Sequence, residues 1–121
     1  MPSLFDVTAG SLVGPTTGGT VTQATNKSTG VTLNTESGQI TMNNAALGAG
    51  TEVTFTVTNS KITATDVVVA CLGTGATAGA YLVGVNSVTA GSFKITVSNV
   101  SGGSLSEAAV INFVALKGAS S

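Results

Sequence analysis

The sequence predicts an all-β domain: an antiparallel β-sandwich or jelly roll of about seven or eight strands, with an extended N-terminal arm. Three observations carry this expectation. Apolar residues alternate with Thr, Ser and Lys in several short windows, the two-residue period of a strand with one dry and one wet face. No window of about 11 residues or more shows helical periodicity. Clusters of Gly, Asn and Ser punctuate the windows at sandwich-like spacing, and the wealth of β-branched Thr, Val and Ile agrees.

Residues 1–19 read as the arm. Pro2, Pro15 and the glycines at 10, 14, 18 and 19 oppose a regular element, yet Leu4, Phe5, Val7, Leu12 and Val13 are apolar and need cover. These five are the candidate interface residues, docking on a neighbouring subunit or folding back over the chain's own sheet edge. The domain proper spans 20–118, and 119–121 form a short tail.

Thr20–Thr25 is short and polar, which suits an edge strand. Val31–Leu33 and Gln39–Met42 follow between turns at Asn26–Gly30 and Asn34–Gly38. Asn43–Gly50 is a loop, with a short helical turn expected at Asn44–Leu47. Glu52–Thr58 alternates cleanly, with Val53, Phe55 and Val57 inward and the threonines outward. Asp66–Leu72 is an apolar run expected to be buried, and Cys71 within it a structural thiol. Gly73–Gly79 is a loop of small residues. Ala80–Val88 places Tyr81, Val83 and Val85 on one face, and Thr89–Ala90–Gly91 turns into the next strand.

The last two windows are the clearest. Ser92–Ser98 puts Phe93, Ile95 and Val97 on one face. Ala108–Leu116 is nearly all apolar, so both its faces are expected to be covered, by a second sheet or another subunit. With the turn-rich Asn99–Glu107 between them, the two are expected to pair antiparallel at the centre of the fold. Aromatics are scarce, and Phe55, Phe93 and Phe113 are the expected bulky anchors of the core.

Composition excludes several functions. Only 7% of the 121 residues are charged, against roughly 25% in ordinary soluble domains. So small a charge complement protects poorly against association, which favours a surface covered by copies of itself or by a larger assembly over a hydroxyl-coated monomer. Four Lys against five acidic residues give no basic patch for nucleic acid. The absence of His rules out Ser-His-Asp and Cys-His catalysis. Asp6, Glu36, Glu52, Asp66 and Glu107 are scattered singly rather than paired for glycoside hydrolysis. The chain is therefore expected not to be an enzyme, and no catalytic, cofactor-binding or metal-binding residue is assigned. No Cys/His cluster or EF-hand loop is present. Gly73-Thr74-Gly75-Ala76-Thr77-Ala78-Gly79 has its third Gly one position late for a dinucleotide loop, and a strand rather than a helix follows. No apolar run reaches the roughly 18 residues of a membrane helix. The first residues lack the pattern of a secretion signal, so synthesis in the cytoplasm is expected.

The stretch from Gln23 to Gly118 resembles small virion proteins of tailed bacteriophages. Residues carrying the likeness are Thr29–Asn34, Ser37–Asn43, Phe55–Ser60, Thr77–Tyr81, Ala90–Phe93 and Gly102–Ala108. Members are similar to head-decoration (cement) proteins, and similar stretches occur in tail-fibre modules. The resemblance implies a β-sandwich that oligomerises on a virion, as a homotrimer rather than a homodimer, over joints between major capsid subunits. The alternative it implies is a tail-fibre or tail-tip module involved in host recognition. The arm lies outside the likeness.

Overall fold

A computed structural model describes residues 18–118 as eight strands, with no helix among the described residues. In chain order they are β1 (Thr20–Thr22), β2 (Val31–Thr32), β3 (Ser37–Thr41), β4 (Glu52–Thr58), β5 (Val67–Leu72), β6 (Tyr81–Thr89), β7 (Ser92–Asn99) and β8 (Val110–Leu116). They form two four-stranded sheets, ordered β1-β3-β8-β5 and β2-β4-β7-β6. The inner faces pack into one core, so the expected β-sandwich is the fold.

Every expected strand is present, but two expectations about pairing are corrected. The sheets are mixed rather than antiparallel throughout, because β1 pairs with β3 and β2 with β4 in parallel. Moreover, β7 and β8 do not pair with each other. Each is central in a different sheet: β7 lies between β4 and β6, and β8 between β3 and β5. The cause is the chain's path, which changes sheet at every connection except the β6–β7 hairpin. At that hairpin Gly91 takes a φ of 89°, a conformation that glycine reaches without strain. Strands adjacent in sequence otherwise lie in different sheets.

Phe93 of β7 and Phe113 of β8 therefore meet from opposite sheets, ring centroids 5.4 Å apart at 58°. Phe55, Ile40, Ile95, Val97 and Ile111 complete the buried centre. The expected helical turn at Asn44–Leu47 is absent; Leu47 instead bridges to Leu105, exchanging two backbone hydrogen bonds of 2.8 and 3.1 Å.

Buried polar side chains tie the crossings in place. Asn99 donates from Nδ2 to the carbonyls of Leu47 (2.7 Å) and Gly103 (2.9 Å) and accepts at Oδ1 from the Ser101 N–H. Asn59 likewise donates to the Thr35 carbonyl and accepts from the Lys61 N–H. Such side chains replace the hydrogen bonds a loop loses when it leaves the sheet. At the end of β8, Lys117 pairs with the buried Asp66 carboxylate at 2.6 Å. Burial alone would raise the Asp66 carboxyl. The bonds from Lys117, from the Thr63 N–H and O–H and from the Gly118 N–H outweigh it and hold the group far below the ordinary carboxylate range.

Candidate interaction surface

Sheet order decides which residues meet the outside. None of the four strands of the β1-β3-β8-β5 sheet contains Asp, Glu or Lys. The β5/β8 register sets Val67 opposite Leu116, Val69 opposite Val114 and Cys71 opposite Asn112. Val68, Ala70 and Leu72 alternate with them and pack against the core. Val67 is 57% exposed, Val69 49% and Leu116 51%. The result is an apolar ladder on the outer face of β5 and β8. Toward β3 the same face turns polar, where Gln39 donates to Asn112 at 2.9 Å.

This overturns two expectations. The run from Asp66 is not buried on both faces: it leaves one apolar face open. Cys71 is an exposed thiol rather than a buried structural one. The reason is position. β5 is the edge strand of its sheet, and nothing among the described residues covers its outer side. On β8 the second sheet covers the inner face, where Ile111, Phe113 and Ala115 are buried, while Val110, Asn112 and Val114 on the outer face are half-buried and Leu116 is exposed.

A second apolar spot lies on the other sheet. Leu82 of β6 is 65% exposed, and Val100, just past β7, is 50% exposed. Leu82 sits opposite Ser98, and the Val100 N–H donates to the Ala80 carbonyl, so the two side chains are close neighbours. The molecule thus shows apolar ground on two opposite sides.

Among the described residues no three Cys, Asp or Glu side chains gather. Glu107 is bound locally, accepting from the Thr77 N–H (2.9 Å), the Thr77 hydroxyl (2.6 Å) and the Tyr81 hydroxyl (2.9 Å). The Thr77 donors lead in holding its carboxyl below the ordinary value. Burial and the bond to Glu107 push the Tyr81 hydroxyl up to about 12. The buried Lys27 donates to the carbonyls of Asn43 and Glu107, and its burial lowers the ammonium's pKa against the pull of Glu107. This is a clasp between loops: it closes the end of the sandwich where the β5–β6 and β7–β8 connections meet.

The five candidate interface residues, Leu4, Phe5, Val7, Leu12 and Val13, lie outside the described residues. The ladder was hidden in the sequence because Val67–Leu72 is apolar at every position and shows no alternation. The missing charges across all of one sheet were the available signal. The chain matches no protein-family model, no curated protein and no solved structure.

Proposed function

We propose that this chain is a bacteriophage capsid decoration protein. It binds the assembled head as a homo-oligomer, a trimer rather than a dimer, and stabilises it by bridging major capsid subunits. The observation that carries this reading is the uncharged sheet with its open ladder of Val67, Val69 and Leu116. Free sheets are normally guarded by charges, above all at their edges. Here the edge strand β5 carries none. The second spot at Leu82 and Val100 gives the domain a contact on its other side, and a protein that bridges two neighbours needs two.

The mechanism is linkage. A protein that binds the closed shell and not its separated subunits stabilises the shell by RT ln(1 + [L]/Kd), about 2.7 kcal/mol at a hundredfold excess over Kd. The sandwich supplies a rigid body, and its hydroxyl-rich face and apolar spots supply the contacts. Gel densitometry of purified particles tests this. The expected result is a copy number close to that of the major capsid protein. A trace level typical of tail components would replace this reading with a tail module, and absence from particles would overturn it.

A further inference from the structure

We propose that the outer ladder of β5 and β8 is the docking site of this chain's own N-terminal segment, with Leu12 and Val13 seated over Val69, Val114 and Leu116. The inference stands whether or not the chain coats a shell. Three observations support it, beginning with where the described chain starts. Parallel pairing of Thr20 with Gln39 sets Gly18 beside Ser37, and β3 pairs Ser37 with Val114, which in turn faces Val69. Gly18 and the ladder therefore lie in one line across the sheet, three strand spacings or about 14 Å apart.

Reach is the second. Five extended residues, the separation of Val13 from Gly18, span up to about 17 Å. The segment can cover the ladder without help from another molecule. Tethering at this length gives an effective concentration of roughly millimolar.

The third is complementarity. Between Gly18 and the ladder lies a shallow open depression of about 430 Å³ lined by Gly18, Gly19, Gly38, Gln39, Asn112 and Phe113 among others. Its lining is mostly apolar and carries no charge, so it extends the apolar ground of the ladder toward the point where the described chain begins. Residues 1–17 hold six large apolar side chains, Met1, Leu4, Phe5, Val7, Leu12 and Val13, and one charged one, Asp6. A nearly uncharged apolar segment and an uncharged apolar face lie within tether length of each other. In a decoration protein such a cover would keep free subunits from associating through their ladders.

Cys71 supplies the readout, because it is the sole cysteine, is exposed and stands one pair along the same face from Val69. The experiment measures the rate at which an aromatic disulfide reagent labels Cys71 in the full chain. It is compared with a chain lacking residues 1–17 and with the full-length double variant Leu12→Asp/Val13→Asp, all at several protein concentrations. Circular dichroism checks that each retains the sheet signal. The proposal predicts labelling about tenfold faster in both variants, equivalent to about 1.4 kcal/mol of cover, and a native rate independent of concentration. Equal rates in all three chains would overturn it. A native rate that falls as concentration rises would overturn it in favour of cover by a second copy.

Discussion

Replacing Phe93 with Ala is expected to destabilise the domain by about 3–5 kcal/mol, the range for deleting a buried aromatic ring. Phe93 has no exposed surface and stacks obliquely on Phe113, 5.4 Å away, from the opposite sheet. Few other residues can close over the gap. The chain has four Phe, one Tyr and no Trp, so the core between the sheets depends on four rings, those of Phe55, Tyr81, Phe93 and Phe113, and on short aliphatic side chains. Small domains have about 5–15 kcal/mol in all, so this single change removes a large share. Thermal unfolding should fall by about 15 °C or more. A loss below about 1 kcal/mol would mean that the two sheets are not held together at this pair.

Asn99→Leu should cost about 3 kcal/mol or more, because it removes three hydrogen bonds and forces a bulkier side chain into a closed site. Asn99 is fully buried at the end of β7, where the chain begins its crossing toward β8. Its removal takes one bond each from the Leu47 and Gly103 carbonyls, which keep the Leu105 N–H and the Ser101 hydroxyl, and leaves the Ser101 N–H without its acceptor. Each buried group left unsatisfied costs about 1–3 kcal/mol. Ser101→Ala is the control, since it removes a part-exposed hydroxyl that bonds the same Oδ1 and the Gly103 carbonyl, and should cost about 1 kcal/mol. Urea unfolding of the three chains measures the difference. Equal stabilities for Asn99→Leu and Ser101→Ala would remove Asn99 from the account of how the crossing is fixed.

These two residues also mark what could be read in the sequence. Phe93 stood out because its strand alternates, and alternation follows directly from the geometry of a half-buried strand. The same signal located β4, β6 and the boundaries of most other strands to within a residue or two. Asn99 did not stand out. An Asn in Asn-Val-Ser-Gly-Gly reads as a turn residue, and only the meeting of Leu47, Gly103 and Ser101 in space gives it three partners. Pairing was illegible for a similar reason. Local periodicity says that β7 and β8 are strands; it says nothing of a path that changes sheets between them. The candidate surface was half legible. A deficit of charge was plain in the composition, and it pointed to cover by a neighbour. Its concentration in one sheet, and the exposure of Val67, Val69, Cys71 and Leu116, depend on β5 falling at an edge, which is a property of the topology.

The claim that the apolar spots are contact surfaces is tested most directly by co-sedimentation of the purified chain with shells freed of it. The native chain is compared with the double variant Val67→Asp/Leu82→Asp, which places one charge on each outer face. Both positions are exposed, so the variant should keep its fold and its melting temperature. The account predicts that the native chain pellets with the shells and that the variant stays in the supernatant. Equal pelleting of the two, or a native chain that never joins the shells, would contradict it.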